Sequence, residues 1–185
     1  MQNTPGIFLL LAALVSILST SFSTTERDST LCERVSKNGS LKIRSSDLNK
    51  LSAICDCVNL QQLDFKKTPV VRLPDCFGDL RELKTATFRK SALNQLPDDL
   101  HGCEALEELD LSFTNFNILP RGILTIPNLK VLNLRGTSIT SLPDGMGHLE
   151  KIDMRLIEMN KNHQEAIREQ YPKLDIYFSS PCSCG

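Results

Sequence analysis

The sequence contains few aromatic residues: tryptophan is absent, and phenylalanine and tyrosine together make up 5% of the 185 residues. Neither sign of charge is in excess, since 21 lysines and arginines stand against 22 aspartates and glutamates and the formal net charge is -1. A nearly neutral chain has no overall field that would draw it to nucleic acid or to an anionic membrane. We therefore expect neither as a partner, and we expect leucine and isoleucine to fill most of the core.

Motifs of enzymatic chemistry are also missing. The sequence has no GxSxG nucleophile motif, no Walker-type phosphate loop and no GxGxxG dinucleotide motif. The histidines His101, His148 and His163 form neither an HxxxH nor an HExxH pair that could hold zinc. We interpret them as surface or capping residues, and we predict a protein that is not an enzyme and that needs no cofactor or metal.

Long hydrophobic runs are absent except near the start of the chain. Residues 7–18 are mostly apolar, and the small polar residues STSFSTT follow shortly after them. This arrangement is typical of a secretory signal peptide, and the run is shorter than the roughly 20 residues that a membrane-spanning helix needs. We predict a signal peptide over residues 1–23, a secreted protein (extracellular, or periplasmic in a Gram-negative cell), and no stable membrane insertion after cleavage.

What the sequence does contain is an internal repeat. A Leu-Pro dipeptide recurs every 23 residues, starting at Leu73, Leu96, Leu119 and Leu142. A leading leucine keeps the same step, at Leu60, Leu83, Leu106 and Leu129. The unit LKVLNLRGTSITSLP illustrates the shared pattern L-x-x-L-x-L-x-x-T-x-I-x-x-L-P. A weaker unit begins at Leu41, and a shortened one aligns residues 151–155 with residues 131–135 after a step of 20.

These units resemble leucine-rich repeats of the 23-residue subclass that contains Leu-Pro, and the resemblance covers roughly residues 41–155. It implies an α/β fold, a leucine-rich-repeat solenoid with a parallel sheet on its concave side and short return segments on its convex side. The alternation x-L-x-L-x turns two apolar side chains of each unit inward. One unit cannot bury these residues alone, so the units must stack, and we expect about seven strands. The ninth position of the unit, usually Asn or Cys in this family, is occupied here by Ser46, Thr68, Ser91, Thr114 and Thr137.

Both ends of such a stack need a cap that covers the leucine core. We predict an N-terminal cap over residues 24–40, repeats over residues 41–159, and a helix–strand cap with a cysteine-containing tail over residues 160–185. Asn160 or Asn162 can cap the predicted helix, and Pro172 ends it. The alternating residues 174–178 then predict a last strand.

The seven cysteines differ in their phase within the repeat. Cys57 and Cys103 occupy a position that other units fill with leucine or isoleucine, which predicts small buried hydrophobic residues that do not react. Export predicts disulfide bonds, and Cys32–Cys55 is the first choice, with Cys76 as the other candidate. Cys182 and Cys184 pair with each other, stay reduced or join another chain. A four-thiolate zinc site is excluded, because the two Cys-x-Cys pairs lie at opposite ends of the stack.

The solvent side of the sheet carries the candidate binding residues. Just past the second inward side chain of each strand lie Arg44, Lys66, Arg89, Ser112, Arg135 and Arg155, which we call the basic row. Between the two inward side chains lie Lys42, Asp64, Thr87, Asp110, Asn133 and Asp153. From these rows and the position that follows, we predict nine partner-binding residues: Arg44, Lys66, Arg89, Lys90, Asp110, Phe113, Asn133, Arg135 and Arg155.

Three interpretations of this surface are open. The first is an exported, non-enzymatic module that binds a protein on its concave face, with Phe113 as an aromatic anchor. The second is a domain that binds a polyanionic glycan or cell-envelope polymer through the basic row. The third is a face that is only solvated, in which Asp64, Asp110 and Asp153 neutralise neighbouring lysines and arginines.

Overall fold

The computed structural model describes residues 31–181. The predicted signal peptide, residues 24–30 of the predicted N-terminal cap, and the predictions for Cys182 and Cys184 lie outside the described residues. Within them, no helix is long and apolar enough to cross a bilayer.

The described residues form one seven-stranded parallel sheet, in which the strands follow each other in chain order. The strands are β1 (Ser40–Lys42), β2 (Gln62–Asp64), β3 (Thr85–Thr87), β4 (Glu108–Asp110), β5 (Val131–Asn133), β6 (Lys151–Met154) and β7 (Asp175–Phe178). Each repeat contributes one strand, as the sequence predicts. The shortened unit is confirmed as well, because Leu132 pairs in register with Ile152 and Asn133 with Asp153, a step of 20 residues.

Alternation along each strand builds the core. The first inward position is filled by Leu41, Leu63, Ala86, Leu109, Leu132, Ile152 and Ile176, all buried. Two residues further on, Ile43, Phe65, Phe88, Leu111, Leu134 and Met154 are buried as well. The rings of Phe65 and Phe88 stack with their centroids 4.8 Å apart, so neighbouring units interlock as well as pair. The leucine core therefore runs continuously through the stack.

Threonine hydroxyls close the turns that follow β2, β4 and β5. The Oγ1 atoms of Thr68, Thr114 and Thr137 donate to the carbonyl oxygens three residues earlier, at 2.8, 2.5 and 2.7 Å. All three threonines are buried. A buried hydroxyl needs such a partner, so the replacement of the usual Asn at this position leaves the turn satisfied.

The return segment of each unit is short. Three of these segments contain 3₁₀ helices, over Ser45–Asp56, Asp75–Asp79 and Arg121–Thr125. Another 3₁₀ turn, Cys32–Arg34, precedes β1. The return segments of neighbouring units lie close together. A Cβ atom added to Gly122 would be 2.0 Å from the carbonyl oxygen of Pro97, so this position requires glycine.

The C-terminal end of the stack is closed by helix α1 (Lys161–Gln170) and strand β7. Of the two candidate caps, Asn160 is the one used: its side-chain oxygen accepts a hydrogen bond from the backbone N–H of His163 at 3.0 Å. The helix ends before Pro172. Ile167 points into the core, and β7 pairs with β6, so the predicted helix–strand cap is confirmed.

Two disulfide bonds are present at the N-terminal end, and their pairing corrects two predictions. Cys32 pairs with Cys57 rather than Cys55, with Cα atoms 5.0 Å apart, and Cys55 pairs with Cys76 of the next unit, at 5.9 Å. Cys57 is therefore not an inert hydrophobic residue. Cys57 is buried, as its position in the repeat requires. The N-terminal cap places Cys32 next to it, so the disulfide bond joins the cap to a core position. Each bond closes a loop of 25 or 21 residues, which corresponds to about 3 kcal/mol of stabilisation.

Cys103 is free and buried, as predicted. Its thiol donates to the carbonyl oxygen of Phe77 at 3.3 Å, and burial raises its pKa to about 12. The thiolate needed for reaction or metal binding is thus disfavoured. Among residues 31–181, no group of three or more His, Cys, Asp or Glu side chains is placed to hold a metal ion.

Candidate functional site

The strand register aligns the predicted surface rows across the sheet. Lys42, Asp64, Thr87, Asp110, Asn133 and Asp153 are consecutive partners from β1 to β6, and Tyr177 of β7 extends this row. The residues of the basic row lie two positions further along the chain, where the strands end. The nine predicted binding residues therefore occupy one face and its adjoining edge.

The acidic and amide side chains of the first row have a structural role. An oxygen of Asp64, Asp110, Asn133 or Asp153 accepts the backbone N–H two residues further on, at 2.8, 2.8, 3.1 and 3.0 Å. These bonds fix the turn that leads out of each strand. Each of these side chains thus binds a backbone donor, a role that none of the three interpretations of this surface included.

Only one member of the basic row is neutralised within the described chain. The Nε and Nη2 atoms of Arg155 lie 2.9 and 2.6 Å from the two carboxylate oxygens of Asp153. Burial acts to raise the pKa of Asp153, but the hydrogen bonds from Arg155 and the positive charges of Arg155 and Arg135 hold it below its ordinary value. Lys66, Arg89 and Arg135 form no ion pair within residues 31–181.

The C-terminal end of the face is further occupied by Tyr177. The Nζ atom of Lys151 lies 4.6 Å from the centroid of the Tyr177 ring, and the guanidinium carbon of Arg155 lies 5.8 Å from it. The Tyr177 hydroxyl donates to Asp175 at 2.7 Å. Arg155, a predicted binding residue, is therefore already engaged on two sides. Cations without a carboxylate partner are concentrated on the preceding strands.

Phe113 is half-buried and has a partner on more than one side. The guanidinium carbon of Arg89 and the Nζ atom of Lys90 lie 5.3 and 5.5 Å from its ring centroid. A Cβ atom added to Gly136 would be 2.7 Å from two ring carbons. The ring thus lies against the backbone of the next unit and carries two cations. It orders Arg89 and Lys90 in addition to offering an aromatic surface.

The position occupied by Phe113 has the same backbone conformation in successive units. Lys67, Lys90, Phe113, Gly136 and Leu156 have φ values of 58°, 59°, 57°, 66° and 59°. Four of these residues are not glycine, in a region that favours glycine. The turn therefore sets the direction in which Lys67 and Lys90 project beside the basic row.

Sequence reasoning did not identify the significance of Ser112. Its hydroxyl is buried and has no hydrogen-bond partner, and the same holds for the Nε atom of Arg135 on the next strand. These two are the side-chain polar atoms of this kind in the part of the chain that the structure describes. The available signal was that Ser112 interrupts a row of lysines and arginines.

The face itself is shallow. A depression of about 180 Å³ lies over β3, β4 and β5, lined by Thr85, Ala86, Thr87, Glu108, Leu109, Asp110, Val131 and Asn133. A larger open groove of about 870 Å³ lies on the side of the stack, next to the Leu-Pro segments, with Arg72, Asn94, Ile118 and Arg121 among its lining residues. Neither resembles the enclosed apolar pocket of a small-molecule site.

One strand per unit, a continuous leucine core and a parallel sheet with one solvent-facing side define a leucine-rich-repeat solenoid. Residues 128–149 match the family model for Leucine Rich Repeat.

Two solved structures contain leucine-rich repeats and can be compared with this chain. A leucine-rich-repeat protein of Leptospira interrogans is 18% identical, with a TM-score of 0.54, over 71% of this chain and 39% of that one. The leucine-rich-repeat domain of the type III effector XopL is 19% identical, with a TM-score of 0.49, over 80% of this chain and 64% of that one. The chain thus spans less than two thirds of either protein. No curated protein sequence matches it significantly.

Proposed function

We propose that the protein is an exported, non-enzymatic module that binds another protein on the concave face of the sheet. The observation that carries this proposal is the mixed chemistry of that face. A row of cations without ion-pair partners, including Lys66, Arg89 and Arg135, runs beside a row of acceptors that includes Asp110 and Asn133. Protein surfaces offer both donors and acceptors, so alternating rows suit a protein partner.

The shape of the face supports the same proposal. Its depression is shallow and broad, whereas small molecules favour deep pockets. Phe113, with its ring held against Gly136, adds rigid aromatic area of the kind that dominates protein interfaces.

Export is supported by the cysteines. Two disulfide bonds close the N-terminal part of the stack, and structural disulfides persist in oxidising compartments. This fits the predicted signal peptide and a partner that is met outside the cytoplasm.

The proposal is tested by affinity capture from the native extracellular or periplasmic fluid. We compare the wild type with an Arg89→Glu/Phe113→Ala variant and with an Ile118→Ala/Arg121→Glu variant of the side groove. We expect the first variant to lose the specific partner and the second to retain it. Equal recovery by wild type and the Arg89→Glu/Phe113→Ala variant would show that the concave face is not the binding site.

The second candidate function is recognition of a polyanionic glycan or cell-envelope polymer. It is favoured by the four cations that Lys66, Lys67, Arg89 and Lys90 place at the same edge of two adjacent units. Binding to a sulfated polysaccharide, measured by titration at rising salt, separates the two functions. A steep loss of polysaccharide affinity with salt supports the glycan-binding function. The acceptor row and the neutralised Arg155 instead predict weak binding of the polysaccharide at physiological salt.

A further inference from the structure

We propose that Arg89, Ser112 and Arg135 form a carboxylate-binding subsite on the concave face, and that it receives an Asp or Glu side chain of the protein partner. This inference rests on the proposed function. The backbone fixes the three residues side by side. The N–H of Lys90 donates to the carbonyl oxygen of Ser112 at 3.0 Å, and the N–H of Phe113 donates to that of Arg135 at 2.8 Å.

The subsite has donors without acceptors. The Ser112 hydroxyl and the Arg135 Nε atom are buried and unpartnered. Leaving a buried donor unsatisfied is costly, and native proteins rarely do so without a reason. Arg135 is half-buried, so a turn of its side chain towards solvent would offer its Nε–H to a partner.

The equivalent arginine on the neighbouring strand has a carboxylate partner within the chain. There, Asp153 gives both carboxylate oxygens to Arg155, one of them to its Nε atom. Asn133 occupies the equivalent position one unit earlier and gives its oxygen to the backbone N–H of Arg135. An amide cannot supply the second anionic oxygen. The carboxylate that Arg155 finds within the chain is the group that Arg135 lacks.

The groups around the subsite favour one kind of anion. Asp110 lies two residues before Ser112 and accepts its backbone N–H at 2.8 Å. Its negative charge penalises a phosphate or sulfate dianion more than a carboxylate with a single charge. Guanidinium and hydroxyl donors together match two acceptor oxygens of a carboxylate. A metal cation is excluded at this spot, because the groups that lack a partner include a guanidinium nitrogen, which has no lone pair to give.

The substitution Asn133→Asp provides a direct test, because it places a carboxylate beside Arg135 as Asp153 does beside Arg155. The matched control is Asn94→Asp, the same chemical change on an exposed residue of the side groove. The probe is a single glutamate residue whose amino and carboxyl termini are blocked, and it is added to the full mature protein. The readout is the NMR signal of the Arg135 Nε–H group. Arg135→Lys identifies that signal.

We expect saturable shifts for wild type and Asn94→Asp, and affinity at least about tenfold weaker for Asn133→Asp. Ser112→Ala should weaken binding of the probe by a smaller factor. Inorganic phosphate should bind less tightly than the glutamate probe. The idea is overturned if the signal does not move, if Asn133→Asp binds the probe as well as wild type, or if phosphate binds better.

The Asn133→Asp variant also distinguishes a failure of this subsite from a failure of the proposed function. In the capture experiment, loss of the partner by both Arg89→Glu/Phe113→Ala and Asn133→Asp supports the two proposals together. Loss by the first variant alone leaves concave-face binding intact and refutes the carboxylate subsite. Retention by both refutes concave-face binding, and the NMR titration then still decides whether the subsite exists.

Discussion

The contact between Phe113 and Gly136 gives the sharpest prediction about stability. Gly136 has a φ of 66°, and a Cβ atom there would lie 2.7 Å from the Cδ1 and Cε1 atoms of Phe113. The substitution Gly136→Ala therefore has two separate costs. The backbone conformation costs about 1 kcal/mol for a residue with a side chain. The ring must also move away, which weakens its contacts with Arg89 and Lys90, worth about 0.5–1 kcal/mol each at an exposed site.

We expect Gly136→Ala to destabilise the wild type by about 2–3 kcal/mol, the sum of the two costs. In the Phe113→Ala background the ring is gone, and only the backbone cost of about 1 kcal/mol remains. The two substitutions are thus coupled by about 1–2 kcal/mol in a double-mutant cycle. Urea unfolding followed by circular dichroism measures all four variants.

Two results would refute this reasoning. Equal destabilisation in both backgrounds would mean that the ring does not press on Gly136. No destabilisation in either would mean that this turn does not hold the left-handed conformation. Lys90→Met serves as a control, because it removes one cation from the ring without changing the Gly136 contact.

Four further predictions concern single side chains. Thr114→Val loses the buried hydrogen bond to Leu111 and should destabilise by about 1 kcal/mol, whereas Thr114→Ser, which keeps the hydroxyl, should cost less; thermal unfolding compares them. Asp110→Ala removes the acceptor of the Ser112 N–H and should cost about 1 kcal/mol, whereas Asp110→Asn should retain most of the stability, as Asn133 does in its unit. Because the pKa of Asp153 is lowered in the folded state, its contribution is present above the unfolded value of about 3.9 and is lost as the pH falls through the folded value; the stability difference between wild type and Asp153→Asn should therefore shrink below about pH 4. With Cys182 and Cys184 replaced by serine, Cys103 should resist a thiol reagent at pH 8 until urea exposes it, since burial raises its pKa to about 12; rapid labelling of the native protein would contradict that burial.

The fold could be predicted because its signal is periodic. Inward leucines at a fixed step determine the strands, their order and their register. The 20-residue step before Lys151 could be recognised as well, because a strict 23-residue step would misplace the residues of that unit. Local chemistry limited the helix cap to Asn160 or Asn162, since a short polar side chain next to a helix start favours capping, and the structure selects Asn160.

The disulfide pairing could not be predicted from phase alone. Phase assigned Cys57 to the core, and that assignment is correct, but a core position does not exclude a bond to a cap that folds over it. The chain between Cys32 and β1 has no repeat to fix its path. Pairing there depends on where an irregular segment crosses the first unit.

The candidate site was predicted only as rows of residues. Register follows from the repeat, but the orientation of each long side chain depends on its neighbours in three dimensions. The sequence therefore showed Arg135 and Arg155 as equivalent, whereas Asp153 in place of Asn133 makes one of them paired and leaves the other with an unsatisfied Nε atom. One of the three open interpretations paired the acids with lysines and arginines, because backbone donors are not visible in a sequence.

The two disulfide bonds stabilise the N-terminal end of the stack more than the C-terminal end. Both lie between Cys32 and Cys76, while within residues 31–181 the far end is closed by packing and hydrogen bonds of α1 and β7. In a stack where each unit contacts mainly its neighbours, loss of structure spreads from the weaker end. Pulled from its two termini, the protein should therefore unravel from α1 towards β2, and the length of chain held between Cys32 and Cys76 should extend only after reduction.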